Sequence, residues 1–308
     1  MLNLKIGTRG SPLALVQANW VKDELTQNYG KCQIQIVPIK TSGDRMKSVP
    51  ISEMGGKGLF IKEIENALLD GEIDLAVHSM KDLPMELPRE LMIAAIPARE
   101  DPFDVLISKT CSRLEDMPLR STIATGSLRR RVQLLHYRSD FIIKEIRGNV
   151  DTRIRKLNRG FAEGLVLAAA GLKRLGQKSK IAQYLDPAIC LPAAGQGALG
   201  IEIRSGDASL KKKLGMLHDK ESGSTVTAER SCLNSLGIGC HTPAGAYGEI
   251  SSGTILLKAF VASLDGKIMI KKKMLGPEED AEILGELLAK KILDAGGREL
   301  LTHFSEGQ

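Results

Sequence analysis

Aromatic side chains are scarce in this chain: Phe, Tyr and Trp make up 4% of 308 residues, and Trp20 is the single tryptophan. A surface that stacks successive bases on aromatic rings has few residues to draw on, which disfavours a single-stranded nucleic-acid ligand. No apolar run approaches the roughly 20 residues that a membrane span needs. The segment Met1 to Arg9 lacks the basic start, apolar stretch and small-residue cleavage site of a secretory signal, so the chain is expected in the cytoplasm. Cysteine is sparse and odd in number: Cys32, Cys111, Cys190, Cys232 and Cys240 include no pair at C-x-x-C spacing. A disulfide framework or zinc cluster is therefore not expected, nor any other metal site. Neither sign of charge dominates, with 43 Lys+Arg against 37 Asp+Glu and a formal net charge of +6. The 43% hydrophobic and 26% charged fractions, with 31 Gly and 12 Pro, exclude disordered and fibrous classes. At roughly 150 residues per domain, two or three domains are expected.

What is present points to an α/β fold. In the first half, short apolar runs alternate with helical patterns, the signature of a sheet covered by helices. Leu4 to Gly7 reads as a strand, followed by Ser11 as N-cap and Pro12 as first helical residue, with Leu13, Val16, Trp20 and Leu25 as the apolar stripe. Strands are expected at Gln33 to Ile39, Ile73 to Val77 and Met92 to Ile96, with a helix over Leu59 to Leu69. Pro97 to Pro102 reads as a crossover into a second α/β unit, with strands at Thr122 to Thr125, Ile142 to Ile146 and Leu165 to Ala169. The Gly-rich passage Pro192 to Gly200 feeds the apolar run Leu199 to Ile203 and carries the chain back to the first domain. Beyond about residue 220 the pattern becomes α+β. Strands at Ile255 to Ser263 and Lys267 to Met274 are joined by a turn at Leu264-Asp265-Gly266, and one long helix starts at Glu278-Glu279-Asp280 and ends at Gly296-Gly297. The expected domains are 1–98 with 198–217, then 103–193, then 220–308.

Between Arg120 and Gly160 there are nine Arg and two Lys against three acids, a larger excess than that of the whole chain. Within it, Thr125-Gly126-Ser127-Leu128-Arg129-Arg130-Arg131 reads as a strand giving way to a helix capped by Ser127 with arginines in its first turn. Cations there oppose the helix dipole, an arrangement that makes sense if an anion is bound. The ordinary alternative is a solvated basic face. Arg147-Gly148-Asn149-Val150-Asp151-Thr152-Arg153 repeats the same logic, so a wall built for several negative charges is expected. Gly55-Gly56-Lys57-Gly58-Leu59-Phe60 lacks the spacing and the Ser/Thr of a phosphate loop and reads as a loop covering a site. Gly195-x-Gly197-x-x-Gly200 matches a dinucleotide fingerprint but opens a strand, so it carries no weight. His78-Ser79-Met80-Lys81-Asp82 follows an apolar strand, placing polar groups at a strand's carboxyl end, where α/β folds put ligand sites. Asp82 could cap a helix; beside Lys81 it could instead stay ionised to stabilise a cation or pass protons. Cys240, in the turn-rich Gly237-Ile238-Gly239-Cys240-His241-Thr242-Pro243, is either inert filler or an accessible thiol serving as nucleophile or attachment point.

Taken in order, Thr8-Arg9-Gly10-Ser11-Pro12-Leu13-Ala14-Leu15, the Gly55 to Phe60 loop, His78 to Asp82, Ser127 to Arg130, Arg147-Gly148-Asn149 and the Cys240 loop resemble the porphobilinogen deaminase family across nearly the whole chain. The resemblance implies three domains, the first two built like a periplasmic binding protein around a cleft and the third carrying the cysteine loop. It implies a dipyrromethane cofactor, made from the enzyme's own substrate and held by a thioether to Cys240. Four porphobilinogen molecules would be deaminated and joined head to tail onto that cofactor, and linear hydroxymethylbilane released by hydrolysis. A chain growing to six rings would bring about twelve carboxylates to the site, which accounts for a need for Arg and Lys donors. The resemblance assigns Asp82 to stabilising the cation left by loss of ammonia and managing pyrrole protons. It assigns cofactor or substrate binding to Arg9, Ser11, Lys81, Thr125, Ser127, Arg129, Arg130, Arg147 and Arg153, with Gln17, Lys57, Phe60 and Ser79 beside them. A cytoplasmic monomer acting on porphobilinogen, without nucleic acid or membrane, is the corresponding expectation. Gly126 stands where the family commonly has Ser, Ile238 and Ala244 are unusual beside the cysteine, and Arg131 has no role in this scheme.

Two other classes compete. A non-catalytic two-lobed anion-binding protein would need the basic wall but neither Asp82 nor Cys240. A nucleic-acid binder would share the clustered Arg, yet no helix-turn-helix or zinc pattern accompanies them.

Overall fold

The computed structural model describes residues 2–41, 61–238 and 242–305, and these divide into two compact units: Met1–Arg99 with Ala198–Gly223, and Glu100–Gly197 with Ser224–Gln308. The chain opens with β1 (Leu2–Arg9), α1 (Pro12–Tyr29), β2 (Cys32–Ile39), α2 (Lys62–Leu69), β3 (Leu75–Ser79) and β4 (Leu91–Ala95). It continues through β5 (Asp104–Ser108), β6 (Thr122–Ala124), α3 (Leu128–Tyr137), β7 (Ile142–Lys144), α4 (Val150–Asn158), β8 (Gly164–Ala168), α5 (Ala169–Arg174) and β9 (Gln183–Tyr184). β10 (Leu199–Arg204) and α6 (Ala208–Leu214) return to the first unit, α7 (Lys220–Ser235) follows, and β11 (Ala244–Ser251), β12 (Thr254–Ala262), β13 (Met269–Pro277), α8 (Ala281–Ile292) and α9 (Arg298–Ser305) complete the chain.

The first unit holds one sheet in the order β2-β1-β3-β10-β4, with β1 parallel to β2 and β3, and β10 antiparallel to both its neighbours. Leu4, Ile6, Leu75, Val77, Ile201 and Ile203 bury one side of it with α1 and α6, while Ile64 and Leu68 of α2 pack with Ile73 and Ala76. The second unit's larger sheet repeats the plan in the order β7-β6-β8-β5-β9, again with three parallel strands followed by an antiparallel one. Its strands are apolar on both faces, since Val105 and Ile107 belong to one core cluster and Leu106 to another. The same local device recurs after a strand in each of these two sheets: Arg9-Gly10-Ser11 ends β1 and caps α1, and Thr125-Gly126-Ser127 follows β6 and caps α3. The α/β class expected from the sequence is the observed one.

The second unit also carries an antiparallel three-stranded sheet, β11-β12-β13, with α8 packed on β12 and β13. Ile255, Leu257 and Val261 are buried in the sheet, and Leu284, Leu288 and Ile292 in the helix.

Three expectations need correction. The buried face of α1 is Gln17, Ala18, Val21 and Leu25, whereas Val16 and Trp20 stay exposed, because Gln17 turns inward to a polar partner described below. Asp104 to Ser108, just beyond the expected Pro97 to Pro102 crossover, forms an interior strand for which no element was expected. The last helix does not end at Gly296-Gly297. A wide turn over Leu293–Gly297, with Gly296 at φ 98°, lets the chain resume as α9, where Leu301 is buried again.

Gly285 shows what the small domain's packing demands. It lies mid-helix in α8, where glycine costs about 1 kcal/mol relative to alanine. A Cβ there would press to within 2.7 Å of the α7 backbone at Ala228 and Cys232. Gly285→Ala is therefore expected to destabilise the protein by about 1–3 kcal/mol despite its better helix propensity, read as a lower chemical-denaturation midpoint; a higher midpoint would mean that the helices part without cost.

Candidate active site

In the first unit, polar groups collect at the carboxyl ends of the adjacent parallel strands β1 and β3. Arg9 closes β1, and Ser11 caps α1 by accepting the Ala14 N–H at 3.3 Å. β3 ends at Ser79, and Met80–Asp82 form a single 3₁₀ turn, fastened by the Met80 N–H donating to the Ala198 carbonyl at 3.0 Å. Asp82 closes that turn instead of capping a helix, which leaves its carboxylate exposed, with Lys81 half-buried beside it. A cavity of about 70 Å³ is lined by Arg9, Ser11, Gln17, His78, Ser79 and Asp82.

The support behind this cavity is hydrogen-bonded. Gln17 is buried and donates through Nε2 to Ser79 Oγ at 3.0 Å, which explains why a polar residue sits on the buried face of α1. His78 Nε2 lies 3.0 Å from Glu202 Oε2, both side chains nearly inaccessible. Burial, then the neighbouring Glu202 charge, raises the Glu65 carboxyl above its ordinary pKa, with His78 acting in the opposite direction. Sequence reasoning missed Glu202. The available signal was a lone acid inside the apolar run Leu199 to Ile203, which has to find a partner when buried.

In the second unit, the carboxyl ends of the parallel neighbours β6 and β7 each lead into a capped helix. The Thr125 N–H donates to the Lys144 carbonyl at 3.0 Å, and Thr125 Oγ1 accepts the Ser127 N–H at 3.3 Å. Ser127 Oγ caps α3 through the Arg130 N–H at 3.5 Å, and Asn149 Oδ1 caps α4 through the Thr152 N–H at 2.9 Å. Arg147 and Arg153 are part-exposed at this edge; Arg147 Nε donates to Glu145 at 2.9 Å, and Arg153 Nε to the Gly148 carbonyl at 2.7 Å. Arg131 is exposed.

Arg129 and Arg130 behave differently. Both side chains are only 6% exposed and close on Asp104, Arg129 Nη1 at 2.7 Å from Oδ2 and Arg130 Nη2 at 2.7 Å from Oδ1. Arg129 also donates to the Leu191 carbonyl, and Arg130 to the Val166 carbonyl at 3.1 Å and Gln196 Oε1 at 3.3 Å. Burial pushes the Asp104 carboxyl up, but the two guanidiniums outweigh it and hold it well below the usual carboxylate range. Burial, then the Asp104 charge, pushes the Cys190 thiol up to about 12, so the thiol stays protonated and donates to Asp104 Oδ2 at 3.2 Å. The anion called for by arginines in the first turn of α3 is, in this structure, an internal carboxylate. Arg174, at the end of α5, is a further cation the sequence reading left aside: it donates to the Gly197 carbonyl at 2.7 Å, and burial lowers its pKa. Lys57, Phe60 and Cys240 lie outside the described residues.

Residues 4–212 match the family model described as porphobilinogen deaminase, dipyromethane cofactor binding domain, and residues 224–294 match porphobilinogen deaminase, C-terminal domain. The chain belongs to the porphobilinogen deaminase family. It is 50% identical over 305 residues to a porphobilinogen deaminase of Syntrophus aciditrophicus, covering 99% of this chain and 100% of that protein. To one of Pelobacter propionicus it is 46% identical over 298 residues, covering 97% and 96%. Among solved structures, a putative methionine-binding lipoprotein of Bacillus subtilis superposes with a TM-score of 0.43 at 13% identity, covering 71% of this chain and 92% of that one. The cofactor-binding match of the porphobilinogen deaminase family spans both strand-end clusters, and Cys240 falls in its C-terminal match. The groups present suit a pyrrole bearing carboxylates: the first unit offers the Arg9 guanidinium and Ser11 hydroxyl as donors and the Asp82 carboxylate as an acceptor for a ring N–H, and the second unit offers the Arg147 and Arg153 guanidiniums and the Ser127 hydroxyl as donors.

Asp104→Asn removes the charge that two buried guanidiniums share and is expected to cost about 3–5 kcal/mol. Because the folded pKa is depressed, the contribution of Asp104 is complete above the unfolded value near 3.9 and is lost as pH falls below it toward the folded value. Denaturation from pH 7 to pH 2 should show the two proteins converging only at the acid end; a gap that widens on acidification would refute the assignment.

Proposed function

We propose that Asp82 is the catalytic carboxylate of hydroxymethylbilane synthesis in this chain. The observation that carries this is its position: an exposed carboxylate on a turn fixed by Met80, sharing one cavity with Arg9 and Ser11. As ammonia leaves porphobilinogen, positive charge develops on the pyrrole, and a preorganised carboxylate within reach of the ring stabilises it and takes the pyrrole proton in turn. Arg9, Ser11 and Lys81 in one unit, and Thr125, Ser127, Arg147 and Arg153 in the other, bind acetate and propionate groups. Ser79, with Gln17 behind it, orders the floor under Asp82. Arg129 and Arg130, engaged by Asp104, position the capped end of α3 and its N–H groups. Dipyrromethane, when bound, supplies the pyrrole end onto which substrate is joined; Cys240 holds it through a thioether, and Lys57 and Phe60 are read as binding residues from the family motif they belong to. Residues 103–193 and 220–308 are read as two domains because each has its own sheet. The scarcity of aromatics supports a small-molecule ligand over nucleic acid. Among the described residues no helix is long and apolar enough to cross a membrane, and we read the chain as a cytoplasmic monomer.

Asp82→Asn keeps the shape and removes the charge. Turnover is expected to fall by about 10²–10⁴-fold with porphobilinogen binding retained. Unchanged turnover would overturn the role of Asp82, and absence of turnover in the parent chain would favour the two-lobed anion binder. The attachment is tested by intact mass: two linked pyrrole units on Cys240, absent from Cys240→Ser, are expected, and a Cys240 that stays unmodified after supply of porphobilinogen would overturn it.

A further inference from the structure

The second unit contains a pocket of about 540 Å³ that uses none of the residues assigned above. It lies against one face of the three-stranded sheet. The register of β12 and β13 sets Phe260 opposite Lys271 and Lys258 opposite Lys273, so these four share a face. At one end this face is apolar: Phe260 and Tyr247 are buried with Val132 and Leu191, and Phe103 meets Tyr247 edge to face at 5.8 Å. Across the sheet toward β13 it turns cationic, with Lys271 level with Phe260 and Lys273 level with Lys258. The facing wall is Phe103 and the segment Asp186 to Leu191.

Three lysines of this face border the space, Lys258, Lys271 and Lys273, against two carboxylates, Asp186 and Glu249, while Lys272 lies between them on the opposite face. Both carboxylates are engaged. Glu249 is held by Lys258 at 3.0 and 3.1 Å, and Asp186 Oδ1 accepts the Ala188 N–H at 2.7 Å. Lys271 Nζ reaches the Ala188 carbonyl at 3.0 Å, a neutral partner. Desolvation lowers the pKa of its ammonium, a penalty that an anion beside it would offset.

We propose that this pocket is a second ligand site, taking a small amphipathic anion: a ring-bearing apolar body set against Phe103 and the Pro187 to Leu191 wall, with carboxylates reaching Lys271 and Lys273. The volume falls within the range of small-molecule sites, about 300–1,000 Å³, and concavity with a mixed apolar and cationic lining favours such a ligand over a flat macromolecular partner. Among the described residues Lys271 and Lys273 have no carboxylate within ion-pair distance, and their ammoniums set the sign of the ligand charge. The inference stands on this pocket alone and does not depend on Asp82 or Cys240.

The test uses the full chain and coproporphyrin, a fluorescent ring carrying four carboxylates. A saturable fluorescence change is expected at micromolar concentrations, with affinity weakened about tenfold or more by the pair Lys271→Ala and Lys273→Ala and by added salt. Turnover of porphobilinogen should be unchanged in that variant. Should the double variant fail to fold, Lys273→Glu, on an exposed side chain, provides the same readout. No saturable binding would overturn the proposal. So would binding that ignores both lysine variants and disappears in Arg147→Ala, which would place the probe at the substrate groups instead.

Discussion

The carboxylate of Asp104 is the charge on which the order of the second unit's wall depends. Two guanidiniums in the first turn of α3 stand where the helix dipole disfavours cations. Left unpaired in the interior they would cost far more than the helix could return. Asp104 lies at the start of the antiparallel strand β5 and meets both, while Gln196 and Cys190 fill its remaining acceptor sites. The capped end of α3, with Ser127 at its tip, is thereby fixed by a network that ties β5, β8 and the Cys190 to Gln196 passage to one helix terminus. A ligand meeting Ser127 meets a surface whose geometry is set before it arrives.

The first unit shows what the same plan does without that network. Register and capping align Ser11 with Ser127, so Leu13 and Ala14 stand where Arg129 and Arg130 do, and Leu199 opens the antiparallel strand as Asp104 does. All three charged positions are apolar together, as expected if the three charges form a set, since one arginine or the acid alone would be stranded. Polar investment in the first unit lies one strand over instead, at Gln17, Ser79, His78 and Glu202, beneath the turn that displays Asp82. Each unit therefore stabilises a different part of its strand ends: the turn that carries Asp82 in one, the capped helix start at Ser127 in the other.

Much of this was legible in the sequence. Ser11-Pro12 and Ser127 announced helix starts by capping chemistry, Asp82 announced a strand end by following an apolar run, and six ordered motifs resembled one family. The misses share a physical cause. Asp104 and Glu202 are acids in strands buried on both faces, where periodicity gives no sign that a charge has a partner far along the chain. Trp20 and Val16 fitted a helical stripe, but the stripe was displaced by Gln17, whose partner Ser79 is 62 residues away. The Gly296 kink was misread as a stop because glycine marks a positive φ without saying whether the helix resumes after it.

Clustering of cations in a sequence is accordingly a poor measure of charge on a surface. Of the nine arginines between Arg120 and Gly160, Arg129 and Arg130 are consumed by Asp104, and Arg138 by Asp140 together with the Leu114 and Met117 carbonyls. Arg147 and Arg153 keep part of their guanidiniums at the edge, Arg147 oriented by the Glu145 carboxylate and Arg153 by the Gly148 carbonyl. Arginine serves both uses because its planar fork can satisfy several acceptors at once, whether carbonyls in the interior or a carboxylate at the rim. The buried acid decides which use prevails. Where a strand delivers one, as at Arg129 and Arg130, the arginine becomes scaffold, and at Arg147 and Arg153 the guanidinium stays part-exposed.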